Sequence, residues 1–154
     1  MRLAVFALTL AASATALATD IASCGDPEGH AYFPEHGLVG KKDSGWSIDK
    51  ITGGITKLVK LSEGEYDILF VDATRDIISS KGDGATIIPL NNGEKVFSVL
   101  VVYPGKTAEI YTFLQDGSGN LEFIQTTSRA GDGVLITKAS VMRGTCSYIN
   151  FGAL

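Results

Sequence analysis

The residues best suited to metal chemistry lie in one short segment, Glu28-Gly29-His30-Ala31-Tyr32-Phe33-Pro34-Glu35-His36. Imidazole and carboxylate groups bind zinc or copper, and this segment contains two of each. The six-residue spacing of the histidines fits no ligand pattern that we can identify, and Pro34 favours an extended backbone at Phe33. We therefore expect no metal site and interpret His30 and His36 as surface or capping residues.

A second candidate for ion binding is the segment Asp116-Gly117-Ser118-Gly119-Asn120-Leu121-Glu122, which has oxygen-bearing side chains at alternate positions. A calcium loop of the EF-hand type begins in this way, but it requires glycine at its sixth position, where this chain has Leu121. The segment is more typical of a solvated hairpin turn. The sequence thus predicts no metal and no cofactor.

Catalytic constellations are also missing from the sequence. There is no Gly-x-Ser-x-Gly motif, and the only two histidines both lie near the N-terminus, so a triad would have to recruit them across space. Carboxylate pairs such as Asp72 and Asp76 arise by chance in a chain with 17 acidic residues. We predict that the protein is not an enzyme, and a hydrolase is the least favoured alternative.

Two cysteines, Cys24 and Cys146, are the only ones in the chain. Neither belongs to a Cys-x-x-Cys pair, which argues against a metal site and favours a disulfide. Such a bond would close a loop of about 120 residues and stabilise the fold by ~4 to 5 kcal/mol in the chain-entropy model.

The first eighteen residues have the features of a secretory signal peptide. Arg2 supplies a positive charge, residues 3–12 are apolar, and Ala16-Leu17-Ala18 fits the cleavage pattern. We expect cleavage after Ala18, one exported domain over residues 19–154, and a secreted or periplasmic location. An alternative is a lipoprotein anchored through Cys24, because Ile21-Ala22-Ser23-Cys24 loosely fits a lipidation site.

The charge of the mature chain excludes some partners. Without Arg2, 12 of the 13 basic side chains face 17 acidic ones, a net charge of −5. This balance disfavours nucleic acid and anionic membrane surfaces. The apolar run near the N-terminus is also too short for a transmembrane helix, which needs about 20 residues.

The elements that must position any site are β-strands. From Ile55 onward, β-prone runs alternate with turn signals such as Asn91-Asn92-Gly93, which indicates successive hairpins. We predict an all-β domain of about eight or nine mostly antiparallel strands in a meander, forming a closed barrel or a two-sheet sandwich, with an irregular segment over Gly25 to Gly54. The predicted strands are residues 56–61, 66–72, 76–80, 85–90, 96–103, 107–115, 121–128, 134–138 and 140–149.

Alternation along two of these strands suggests a ligand site. Tyr66, Phe70 and Asp72 share one face of their strand, and Tyr111 and Phe113 share a face of another. These residues would line an apolar interior, with the Asp72 carboxylate at its mouth orienting a ligand. Alternatively, the aromatic rings fill a core and Asp72 binds backbone amides in a turn.

An early tryptophan, Trp46, and a late arginine, Arg143, resemble the pair that closes the bottom of lipocalin-type barrels. Those proteins carry a Gly-x-Trp motif, whereas this chain contains Ser44-Gly45-Trp46. The likeness is therefore one of position, and no family's motifs cover the chain.

Two functional hypotheses follow. In the first, the domain binds a small apolar or amphipathic ligand inside a hollow barrel. In the second, the core is filled and the domain binds a macromolecular partner through its loops or a sheet edge, as an inhibitor or an envelope component. A retained ligand would distinguish the first hypothesis from the second.

Overall fold

The computed structural model describes residues 18–71 and 76–154. This part of the chain contains ten strands and a short 3-10 turn at Phe151–Ala153, and it contains no α-helix. The predicted all-β fold is confirmed. The strands are β1 (Thr19–Phe33), β2 (Gly45–Lys50), β3 (Ile55–Ser62), β4 (Glu65–Val71), β5 (Ile77–Ser79), β6 (Thr86–Gly93), β7 (Val96–Tyr103), β8 (Thr107–Gln115), β9 (Leu121–Arg129) and β10 (Lys138–Ile149).

All ten strands belong to one antiparallel sheet with the order β5-β4-β3-β1-β10-β9-β8-β7-β6, and β2 pairs with β1 beside this path. The sheet curls into a half-barrel, and β4 contacts β6 across its open side. The architecture therefore corresponds to the barrel alternative with one side left unpaired, and not to a sandwich of two packed sheets.

Strand β1 pairs with two strands along the same edge. Its N-terminal half pairs with β3 and its C-terminal half with β2. Between the halves, Asp26 adopts a positive φ of 49°, and its Oδ1 accepts a 2.8 Å hydrogen bond from the Gly53 amide. The Ile51 amide also donates to the Pro27 carbonyl at 2.9 Å. These bonds fix a bend in β1 at the point where its pairing changes from β3 to β2.

Most predicted strands match observed ones, and the differences lie near the ends of the chain. The segment Gly25 to Gly54, predicted to be irregular, contains much of β1 and all of β2, so its irregular part is confined to residues 34–44 and the turn at 51–54. Conversely, residues 134–137 form a loop that leads into β10 rather than a separate strand.

The predicted disulfide joins Cys24 to Cys146 across directly paired positions of β1 and β10. It therefore ties the first strand to the last, over a sequence separation of 122 residues. A sulfur atom in a disulfide cannot also carry a thioether-linked lipid, so this bond is incompatible with a lipid anchor on Cys24. Residues 1–17 of the predicted leader lie outside the described residues.

One end of the half-barrel is filled with aromatic side chains. Phe97, Phe113 and Phe123 are almost completely buried, and Tyr66 is buried beside them. The rings of Tyr66 and Phe97 have centroids 4.8 Å apart, and those of Phe113 and Phe123 are stacked with centroids 6.2 Å apart. Aromatic packing of this kind contributes beyond simple area burial. The interior at this end is a packed core.

Candidate functional site

The opposite end of the half-barrel contains a cavity of about 360 Å³, which we call the mouth cavity. It lies where β4, β7 and β9 end and where β3 and β8 begin, beside the bend between β2 and β3. The lining side chains are of two kinds. The apolar and aromatic ones include Pro27, Ile51, Ile55, Phe70, Val71 and Tyr103, and the polar ones include Thr56, Asp83, Lys106, Thr107, Glu109, Tyr111, Gln125 and Arg129.

Strands β8 and β9 build the polar wall of the mouth cavity. Side chains alternate faces along a strand, so Glu109 and Tyr111 project to the same side of β8. Tyr111 lies directly opposite Gln125 on β9, and Glu109 lies opposite Thr127. Cross-strand partners are close enough to interact, which brings these polar side chains into one cluster.

A chain of hydrogen bonds runs through this cluster. Gln125 Nε2 donates to the Tyr111 hydroxyl at 3.1 Å, and that hydroxyl donates to Glu109 Oε2 at 2.8 Å. Gln125 Nε2 also lies 3.5 Å from Thr127 Oγ1. Buried networks of satisfied polar groups hold their members in one arrangement. The orientation of Glu109 is therefore set by the strands that carry its partners.

Burial changes the proton affinities of this cluster. Desolvation raises the pKa of Glu109, while the hydrogen bond from Tyr111 and the positive charges of Arg129 and Lys138 act in the opposite direction. Burial also raises the pKa of Tyr111 well above its usual range, and the neighbouring Glu109 adds to this effect. Tyr111 therefore remains a hydrogen-bond donor at neutral pH.

Glu109 is incompletely partnered. Within residues 18–71 and 76–154, it forms no ion pair within 4.0 Å, and its only hydrogen bond uses Oε2. Lys138 instead pairs with Asp49 at 2.6 Å. The second carboxylate oxygen of Glu109, Oε1, thus has no hydrogen-bond partner in the described part of the chain.

Asp67, which is a buried acid, shows the contrasting case. It is 4% exposed, and its Oδ2 accepts a hydrogen bond from the Ser79 hydroxyl at 2.5 Å while its Oδ1 accepts one from the Lys81 amide at 3.1 Å. Both of its oxygens are used, and they hold β4 to β5 and to the following turn. We interpret Asp67 as a structural residue.

The rim of the mouth cavity carries exposed charges of both signs. Lys106 and Arg129 are exposed cations, and Asp83 is an exposed acid in the turn before β6. In the part of the chain that the structure describes, neither the Lys106 ammonium nor the Arg129 guanidinium forms an ion pair or a side-chain hydrogen bond. Water solvates such groups at little cost.

The predicted ligand-binding residues separate into three groups. Phe70 and Tyr111 both line the mouth cavity. Tyr66 and Phe113 do not line it and lie in the packed core, to which the nearly buried Tyr111 also belongs. Asp72 lies outside the described residues. Ligand binding by these residues remains a prediction, and Phe70 and Tyr111 are the two of them that line the mouth cavity.

Sequence reasoning overlooked the polar members of the cavity wall, Glu109, Gln125 and Arg129. A signal for Glu109 was available, because it lies two residues before Tyr111 and must share its face of the strand. Gln125 and Arg129 likewise share the face of β9 that carries Phe123, because even numbers of residues separate them from it. Polar residues at inward-facing positions of adjacent strands mark a wall that is not simply filled.

The segments considered for ion binding have other roles in the structure. His30 and His36 are exposed, and the described residues contain no group of three or more histidine, cysteine or acidic side chains placed to hold a metal. The Asp116 carboxylate accepts hydrogen bonds from the amides of Ser118 and Asn120, at 2.8 and 2.9 Å. These bonds are those of a hairpin turn, as the sequence indicates.

Trp46 and Arg143 do not close the end of a barrel. Trp46 is 75% exposed and packs edge-on against Tyr32, with ring centroids 5.5 Å apart. The Arg143 guanidinium is exposed and binds the Glu122 carboxylate through both of its oxygens. Their positional likeness to lipocalin-type barrels is therefore not matched by their contacts.

Comparison with known proteins finds no matching family model, no similar curated protein and no similar solved structure. Across residues 18–71 and 76–154, no helix has the length and apolar character needed to cross a membrane.

Proposed function

We propose that this protein is an exported, disulfide-closed domain that binds a small amphipathic molecule in the mouth cavity. The observation that carries the proposal is the cavity itself. Its volume of about 360 Å³ lies within the range of small-molecule sites, which combine apolar walls with a few fixed polar groups. Phe70, Tyr103 and Ile55 supply the apolar surface, and Glu109, Tyr111 and Gln125 supply the polar one.

The polar wall favours an amphipathic ligand over a purely apolar one. An apolar molecule would cover Glu109 without offering it a partner, and burying an unpartnered polar group is costly. A molecule with one polar end avoids this cost while its apolar end contacts Phe70 and Tyr103. The packed core below the cavity limits the ligand to a compact molecule.

A specific observation also favours the second candidate function, binding of a macromolecular partner. An exposed apolar patch spans neighbouring strands, with Trp46 and Ile48 on β2 (75% and 77% exposed), Tyr32 on β1 and Val141 on β10 (57% exposed). The exposed His30 lies between Ile48 and Val141. Exposed apolar surface that is accompanied by polar residues often marks a protein interface. The two functions use different surfaces, so they can be tested separately.

The proposed function predicts a matched pair of outcomes for two tryptophan substitutions on β8. Thr107 lines the mouth cavity, whereas its neighbour Ala108 is exposed on the outer face. Thr107→Trp should occupy part of the cavity and Ala108→Trp should not. A ligand that binds only the folded state raises Tm. We therefore expect amphipathic compounds that raise the Tm of the wild-type protein to raise that of Ala108→Trp equally and that of Thr107→Trp much less.

Thermal unfolding followed across a set of small amphipathic compounds makes this measurement. Equal Tm shifts in both variants would place binding outside the mouth cavity. If the shifts were lost instead in Trp46→Ser, the exposed patch would be the binding surface.

A further inference from the structure

Glu109 is the least exposed of the charged side chains that line the mouth cavity. Burial works against its ionised form, and Tyr111 is its sole hydrogen-bond partner in the described part of the chain. Its Oε1 has no partner there. An ionised carboxylate in such a place is best stabilised by a charge-assisted hydrogen bond from a cation.

The protein's own cations do not provide that bond. Arg129 and Lys138 act on Glu109 only through their electric fields, and Lys138 is held by Asp49 at 2.6 Å. Arg129 and Lys106 lie at the exposed rim. Lys106 and Arg129 are exposed, whereas Glu109 is only partly exposed and is desolvated by its surroundings, so water screens the rim cations more than it screens Glu109.

Resting on the proposed function, we infer that the mouth cavity selects a compact molecule with a protonated amine attached to an apolar body. The ammonium group donates to Glu109 Oε1, while Oε2 keeps its bond from Tyr111. The rings of Phe70 and Tyr103 contact the apolar body, and aromatic faces also attract a nearby ammonium group. A carboxylate head in the same position would repel Glu109.

The inference is tested by calorimetric titration at neutral pH with three probes of similar shape: 2-phenylethylamine, 2-phenylethanol and 3-phenylpropanoate. The wild-type protein should bind the amine at least about tenfold more tightly than the alcohol, and the propanoate most weakly. In Glu109→Gln this preference should fall to within about twofold, because the amide still accepts the Tyr111 hydrogen bond but carries no charge.

Glu94→Gln is the matched control, since Glu94 is an exposed residue in the turn between β6 and β7. It should retain the full preference for the amine. A thermal melt of Glu109→Gln with the cooperativity of the wild type shows that any loss reflects recognition and not unfolding.

The remaining outcomes separate the two proposals. Tighter binding of the propanoate, lost in Arg129→Gln, would overturn the amine preference and leave a cavity that binds amphipathic anions. Equal binding of all three probes would overturn charge recognition while keeping the proposed function. No binding of any probe to the wild-type protein would overturn the amine inference and count against the mouth cavity as a binding site.

Discussion

At the scale of single residues, Asp67 and Glu109 show how its surroundings determine the role of an acidic side chain. Both carboxylate oxygens of Asp67 accept hydrogen bonds, from Ser79 and from the Lys81 amide, and these bonds connect β4 with β5 and the turn after it. Glu109, which lines the mouth cavity, accepts the Tyr111 hydrogen bond with Oε2, and its Oε1 has no hydrogen-bond partner among the described residues. The same functional group therefore has both oxygens bonded within the chain in one place and only one in the other.

The raised pKa of Glu109 predicts a pH dependence of stability. Because the folded protein holds this proton more tightly than the unfolded chain, the ionised form penalises folding. The penalty is absent below the unfolded pKa, near 4.5, and it grows as pH rises through the higher folded pKa. The free energy of unfolding of the wild type should therefore fall relative to that of Glu109→Gln over this window and then level off.

Urea unfolding of both proteins between pH 4 and pH 8, with Glu94→Gln alongside, measures this difference. Glu94→Gln should not reproduce the relative change, since its side chain is exposed. Curves for the wild type and Glu109→Gln that stay parallel across the whole range would mean that Glu109 is no harder to ionise in the folded protein.

At the scale of elements, turn chemistry accounts for what the sequence predicts. Glycine, asparagine and aspartate separate β3 to β10 at regular intervals, so these strands can be located from the sequence alone. Strand β1 cannot be located in this way, because Gly25-Asp26-Pro27 resembles a loop in the sequence. In the structure these residues form a bend within the strand. Strand β2 is short and exposes Trp46 and Ile48, so its pattern gives no buried face to detect.

The candidate site, like the strands, can be predicted only in part from the sequence. Alternation puts Tyr111 on an inward face, and the same rule applies to Glu109 and Phe113. Which of these residues meets a cavity and which meets other rings depends on how far the sheet curls and where it opens. That depends on contacts between distant strands, and a single strand's sequence does not contain it.

Strand β10 supplies a prediction at this scale. Gly144 lies against the Phe123 ring and the Gly25 carbonyl, and a Cβ at this position would overlap both. Because backbone cannot yield as a flexible side chain does, Gly144→Ala should lower the free energy of unfolding by about 1 to 3 kcal/mol. Gly117→Ala, in an exposed turn with no atom near the added Cβ, is the control and should change it by less than about 0.5 kcal/mol.

Urea unfolding at neutral pH compares these two glycine variants with the wild type. If Gly144→Ala were as stable as Gly117→Ala, the close packing of Phe123 on β10 would not exist in solution.

At the scale of the whole molecule, the two ends of the half-barrel differ in packing. The aromatic end is packed and holds the sheet together, and the disulfide ties the first strand to the last. The polar end is open and lies beside the turn between β2 and β3. A rigid scaffold with one unfilled end can present a preformed site, which lowers the entropic cost of binding.

The most direct test of a ligand in the mouth cavity is a native mass spectrum of the protein purified from its own host. We predict a polypeptide that begins at Thr19, is lighter by two hydrogen atoms because of the disulfide, and carries one small bound molecule, which the Thr107→Trp variant should lack. A wild-type protein that is free of any bound molecule under conditions that preserve its fold would contradict the proposed function.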